Sequence, residues 1–217
     1  MKSKKIMVAG VSVAGLVMAA GIVYAVTTFH VRPAKYDPDN THTVQSRWFK
    51  QIGEPDSFVD PAGRNVHYGL LLSKNTATTT NSAAFAVISG FSKKQPVTLT
   101  DIGYDIRNGG HCGNGAPRFN LVTQDDVTHF VGCFFMTDSA GADAGWQRKT
   151  FSAADLMDPS KTFPAFAPGD TVTSMSIAFD EGVDTAPDFS GLAILDNVDV
   201  NGTVVTGPNS ALDIGVE

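Results

Sequence analysis

Cysteine is nearly absent. The 217-residue chain has two, Cys112 and Cys133, and neither sits in a CxxC pair. Zinc ribbons and covalently attached haem need that spacing and are excluded. Other chemistry-bearing motifs are missing as well. There is no G-x-x-x-x-G-K-[ST], no G-x-S-x-G and no H-E-x-x-H. That removes the P-loop, the nucleophile elbow and the two-histidine zinc helix. No helical pattern of crossover length lies between the apolar runs, which argues against a parallel βαβ sheet. Charge is sparse, at 18% of residues, and basic charge sparser still. The first 25 residues hold Lys2, Lys4 and Lys5 and no acid, leaving 13 basic against 22 acidic residues in the rest. A chain this acidic lacks the basic patches that nucleic acid requires.

One feature is abundant at the N-terminus. Ile6 to Phe29 is a run of 24 uncharged residues behind a short basic stretch. A basic start, an apolar run and small residues before Ala25 describe a secretory signal. The run is also long enough to span a bilayer as a helix, with the lysines holding its short end in the cytoplasm. Cleaved signal or retained anchor, both place the chain from about residue 30 outside the cytoplasm. The membrane is then met only through this segment. The expected organisation is a signal or anchor over 1–29, a linker or wrapping segment over 30–55, and one domain over 56–217.

That domain reads as all-β. Short runs of alternating apolar residues are cut by Gly, Pro, Asn and Asp. Val66, Tyr68, Leu70 and Leu72 share one face, as do Ile102, Tyr104 and Ile106, then Phe119 and Leu121, then Met175, Ile177 and Phe179. The run "THFVGCFFM" (128–136) is apolar on both faces and is expected to be a central strand. Period-2 runs at this spacing predict a two-sheet antiparallel sandwich. Eight strand candidates suit a jelly roll. Only "SAADLMD" (152–158) resembles a helical turn, stopped by Pro159. Asn201-Gly202 predicts a tight hairpin turn.

The stretch "GGHCGNGAPRFN" (109–120) holds the residues that most invite a chemical reading. Its glycines lead into a strand rather than a helix, so it is no phosphate cradle. In an exported chain Cys112 and Cys133 are expected to form a disulfide. His111 cannot serve as base to its neighbour, because adjacent residues on extended chain point opposite ways. His111 and Arg118, held still by the bridge, are the first ligand-contacting candidates. Tyr104, Trp146 and Trp48 are aromatic candidates for stacking on a sugar ring, against core packing as the alternative. His67, His111 and His129 are the histidines that a metal site would draw on.

Carboxylates raise a second question. By parity with Leu192, Ile194, Val198 and Val200, Asp196 falls on the apolar face of its strand. A carboxylate there needs a partner, a proton or a metal. Arg107 and Arg118 are the cationic candidates, and a bulge would instead turn Asp196 outward. Asp180, Glu181 and Asp184, in the loop 179–191, are further oxygen donors for calcium alongside Asp196. No EF-type spacing is present.

The segment "GLAILDNVDVNG" (191–202) resembles the closing strand of jelly-roll carbohydrate-binding modules and galactose-binding-like domains, with the match at 192–202 and the strand count agreeing over about 66–206. The resemblance implies a structural calcium using Asp196 and a carbohydrate ligand. The expected function is an exported, non-catalytic β-sandwich module that binds carbohydrate or a surface protein. The alternatives are an extracellular hydrolase working through an acid pair or metal, and a structural envelope protein.

Overall fold

A computed structural model describes residues 28–55, 66–78, 81–181 and 191–208. The N-terminal apolar run lies outside them up to residue 27. No helix among the described residues is long and apolar enough to cross a membrane. The last residue of the run, Phe29, is buried in the domain with its ring 5.1 Å from that of Phe91.

The strands are β1 (His30–Tyr36), β2 (Val44–Phe49), β3 (Gly69–Lys74), β4 (Ala83–Ser89), β5 (Asp101–Arg107), β6 (Arg118–Thr123), β7 (Thr128–Gly132), β8 (Thr137–Ala140), β9 (Trp146–Ser152), β10 (Val172–Phe179), β11 (Leu192–Val200) and β12 (Thr203–Val205). They form two antiparallel sheets facing one another as a β-sandwich. One has the order β1-β4-β10-β6-β7, the other β2-β3-β11-β5-β9-β8, with β12 paired to the end of β11.

The core between the sheets is what the alternation requires. Leu70 and Leu72 of β3, Ile102, Tyr104 and Ile106 of β5, Phe119 and Leu121 of β6, and Met175, Ile177 and Phe179 of β10 all point inward and are buried. Each such aliphatic or phenyl side chain contributes about 1.5–3 kcal/mol on leaving water. The helical turn at 152–158 is present as α1 (Ala153–Leu156). Ser152 caps it, accepting from the Asp155 backbone N–H while Asp155 accepts from that of Ser152. The β11–β12 hairpin turns at Asn201 and Gly202, with φ of 52° and 76°.

The structure sharpens or corrects three expectations. Residues 30–55, expected as a linker or wrapping segment, add strands to both sheets: β1 extends one sheet beside β4, and β2 extends the other beside β3. Their weak periodicity reflects edge positions, where only one neighbour restrains the strand and Pro33 is tolerated. The run 128–136 is not a central strand. It gives β7, the outermost named strand of its sheet, and then a 3₁₀ turn at Cys133–Phe135. The parity of β11 also changes midway. Ala193 and Leu195 face the core, a bulge intervenes with Asn197 at φ 46°, and Val198 and Val200 face the core after it. Leu192, Ile194 and Asp196 therefore lie on the outer face, because the extra residue reverses the alternation.

Candidate functional site

The glycine stretch forms a corner where the two sheets meet, stapled covalently. Cys112 and Cys133 are disulfide-bonded across a Cα–Cα distance of 5.2 Å. Backbone bonds reinforce the staple: Cys133 donates to the Pro117 carbonyl (3.0 Å) and Phe134 to that of Gly113 (3.2 Å). The chain segment just after β10 packs against this corner. Arg118 donates to both carboxylate oxygens of Asp180 (2.5 and 2.7 Å) and to the Gly115 carbonyl (2.6 Å). His111 is fully buried, with Nε2 3.5 Å from Glu181 Oε2 and its ring edge-on to Phe179. Four residues singled out separately in the sequence thus meet as two pairs, His111 with Glu181 and Arg118 with Asp180.

The glycines have distinct reasons. Gly109 takes φ 81°, a left-handed conformation that other residues resist. Gly113 and Gly115 make room: a Cβ at 115 would lie 1.9 Å from Glu181 Oε1, and one at 113 would lie 2.9 Å from His111 Nε2. The corner turns sharply at one glycine and makes room for His111 and Glu181 at the other two.

Beside the corner opens a cleft of about 240 Å³. Its walls are Asn114 and Gly132 from the stapled corner, Phe130 and Phe135 from β7 and the following turn, and the loop 159–163. That loop lies along the free edge of β7. Phe130 donates to the Phe163 carbonyl (2.8 Å) and Phe163 back to that of Phe130 (3.1 Å), setting the two residues opposite one another. Phe163 is 75% exposed and Phe130 37%, and Phe134, in the turn after β7, is 65% exposed. The Arg118 guanidinium lies 5.5 Å from the Phe130 ring centre, linking the corner to the cleft through cation–π contact. Lys161, Ser160 and Thr162 add polar groups along the loop.

The outer face of the other sheet holds a polar knot. Asp196, Asp105 and Arg148 are register partners on β11, β5 and β9. Asp196 accepts from the backbone N–H groups of Glu54 (2.8 Å) and Asn197 (2.7 Å). Asn197 Nδ2 donates to both Glu54 (3.0 Å) and Asp105 (2.7 Å), and Glu54 also accepts from Asp143 N–H (2.6 Å). Arg148 donates to Asp199 (2.8 Å) and to the Asn197 carbonyl (2.7 Å). Burial pushes the Glu54 carboxyl above its ordinary range, and the neighbouring Asp105 carboxyl adds to the rise.

Several sequence candidates are displaced. Tyr104 and Trp146 are buried, as is Trp48, so none offers a ring face to a ligand. Tyr104 donates its hydroxyl to the Pro117 carbonyl (3.2 Å), and burial holds its phenol far above the usual range. His111 is likewise enclosed rather than presented. Arg118 is committed to Asp180, not Asp196. The calcium candidates do not converge. Asp196 lies on one sheet's outer face, Asp180 follows a strand of the other, and Asp184 is outside the described residues. Among the described residues, no three His, Cys, Asp or Glu side chains are gathered to hold a metal ion. His129 lies near the start of β7 and His111 at the corner beyond its end. The phenyl rings of the cleft and the Glu54 knot are what the sequence reading missed. A phenylalanine in the proline-rich loop "PSKTFPAFAPGD" was the available signal for Phe163.

No family model, curated protein or solved structure matches the chain.

Proposed function

We propose that the protein is an exported, non-catalytic module of jelly-roll topology that binds carbohydrate at the Phe130–Phe163 cleft. The strand order supports the topology. Setting aside β1, β2, β8 and β12, the remaining eight strands in chain order run first-eighth-third-sixth in one sheet and second-seventh-fourth-fifth in the other. That is the double Greek key of a jelly roll. Export is supported by the disulfide, which persists in oxidising compartments, and by the basic-then-apolar N-terminus.

The observation that carries the ligand reading is the pair of exposed phenylalanines, Phe130 and Phe163, joined by one backbone bridge. Leaving a phenyl ring in water forgoes about 1.5–3 kcal/mol of burial. A sugar ring offers an apolar C–H face to such a ring and hydroxyls to the polar groups around it. Asn114 and Ser160, both exposed on the cleft wall, supply those groups. Hydrolysis by an acid pair gains no support. The carboxyls that lie together, Glu54 and Asp105, are buried at the other sheet, away from the cleft, with Asn197 Nδ2 donating to both.

A glycan array probed with the full chain tests the proposal, with Phe130→Ala and Phe163→Ala as comparisons. Binding to a defined glycan, weakened at least about tenfold in each variant at unchanged melting temperature, is expected from the loss of a stacking ring. Absence of binding across the array, or binding indifferent to both variants, refutes it. Capture of a protein instead would favour the surface-partner alternative.

A further inference from the structure

We propose that Asn114, on the wall of the Phe130–Phe163 cleft, is a modification site that converts spontaneously to aspartate and isoaspartate, so that the cleft takes on a covalent change as the chain ages. The site is read from the stapled corner itself. Only its consequence for a ligand rests on the function proposed above.

The chain contains three Asn-Gly pairs, at 108–109, 114–115 and 201–202. In such a pair the glycine backbone nitrogen attacks the asparagine Cγ, because no Cβ on the second residue crowds the approach. The new N–C bond closes a succinimide ring, and the side-chain nitrogen leaves as ammonia. Water then opens the ring at either carbonyl. One opening gives aspartate. The other gives isoaspartate, whose main chain runs through the former side chain. Two conditions decide which pair reacts. The asparagine side chain must swing onto the next residue, and the glycine N–H must not be committed elsewhere.

The three pairs differ in these respects. Asn201 is held at both ends of its amide. Its Oδ1 accepts from the Thr100 N–H (2.8 Å) and the Thr100 hydroxyl (3.1 Å), and its Nδ2 donates to the Thr98 carbonyl (2.8 Å). Asn108 is held once, its Nδ2 donating to the Ala144 carbonyl (3.1 Å). Asn114 is exposed, and among the described residues no group bonds its side chain. Among them, too, the Gly115 N–H donates to no acceptor. The pair sits at the tip of a short loop closed by the bond from the Gly113 N–H to the Ala116 carbonyl (2.7 Å). Breaking the bonds on Asn201 slows its attack by at least about tenfold, and the single bond on Asn108 slows it by several fold. Asn114 has no such bond to break.

Its position gives the change a consequence. Asn114 lines the cleft with Phe130, Phe135 and Ser160. Its backbone carbonyl lies so close over Gly132 that a Cβ there would fall 1.9 Å from it. Aspartate at 114 adds a negative charge to the cleft wall. Isoaspartate lengthens the main chain by a methylene and moves that carbonyl off its seat on Gly132.

Peptide mapping by mass spectrometry tests this on the folded, oxidised full chain, incubated in mildly alkaline buffer. The same chain unfolded in urea supplies the reference rate for each pair. Asn114 is expected to convert at least about tenfold faster than Asn201, and ahead of Asn108. Conversion is read as the exchange of NH for O in the peptide mass, and isoaspartate as a second chromatographic peak of equal mass. Asn114→Gln, at an exposed position, is expected to abolish conversion at 114 with the melting temperature unchanged. An Asn114 that stays intact while the unfolded reference is consumed, or that converts no faster than Asn108 or Asn201, overturns the proposal. These readouts need no glycan, so failure of the site and failure of carbohydrate binding are separate results. Where a glycan is found, the aged chain is expected to bind it more weakly than the fresh chain, while aged Asn114→Gln keeps its own fresh affinity. Equal loss in both would remove the link to the cleft.

Discussion

Reducing the Cys112–Cys133 bridge is the sharpest perturbation of the corner. The cysteines are 21 positions apart. Releasing a loop of that size returns to the unfolded chain an entropy worth about 3 kcal/mol. For a domain of this length each kcal/mol moves the melting temperature by about 2–4 °C. Reduced protein should therefore melt roughly 6–12 °C below oxidised protein. Replacing both cysteines by alanine should cost about 1 kcal/mol more, because Cys133 is fully buried and loses its sulfur contacts. Differential scanning calorimetry with and without reductant, beside the double-alanine variant, separates the two effects. Intact mass confirms the redox state. A reduced protein melting within about 2 °C of the oxidised one would refute the reasoning. It would mean that the bridge removes little freedom from the unfolded chain.

Other outcomes follow from the same geometry. Gly132→Ala should destabilise by more than about 3 kcal/mol in urea titration, since its Cβ would fall 1.9 Å from the Asn114 carbonyl; Gly109→Ala, with open space around it, should cost about 1 kcal/mol for its positive φ alone. Glu54→Gln tests the knot through pH. Because burial raises the folded-state pKa of Glu54, the folded chain holds that proton to higher pH than the unfolded one, so stability from this group is present below the raised value and lost as pH rises through it. Wild type should gain stability on acidification from neutral toward about pH 4.5 relative to the variant, and parallel curves would exclude a raised Glu54. A chelator should leave the melting midpoint unchanged, because Asp196 already accepts two backbone N–H groups and Asp180 is bound by Arg118; a drop of several degrees would reveal a metal site.

The fold class was legible because half-buried strands advertise themselves by period-2 alternation. Val66 through Leu72, Ile102 through Ile106 and Met175 through Phe179 all point as their spacing requires. What escaped depends on partners distant in sequence. β1 and β2 are strands because β4 and β3 pair with them, and nothing local compels their pattern. The bulge in β11 had only one local sign, an asparagine at 197, a residue type that tolerates left-handed backbone. One inserted residue there moved Asp196 from core to outer face. The corner was half legible. His111, Arg118, Asp180 and Glu181 were each noticed, yet their pairing joins positions more than 60 residues apart, and only the closed sandwich brings those together.

That pairing bears on what the corner is for. Catalytic groups are poised, with a lone pair or proton left over for a substrate. Here Arg118 is committed to protein partners. The guanidinium of Arg118 holds both oxygens of Asp180 as well as the Gly115 carbonyl and Asn120. The imidazole of His111 is sealed in, and the oxygens of Asp196 accept from backbone. Beside this stapled corner three phenylalanines, Phe130, Phe134 and Phe163, remain exposed. Rigid support under exposed aromatic rings is the arrangement in which binding loses least entropy, because the rings need not be ordered when the ligand arrives. In the carbohydrate-binding function proposed above, the residues with chemical reputations build the platform, and the phenylalanines are left to meet the ligand.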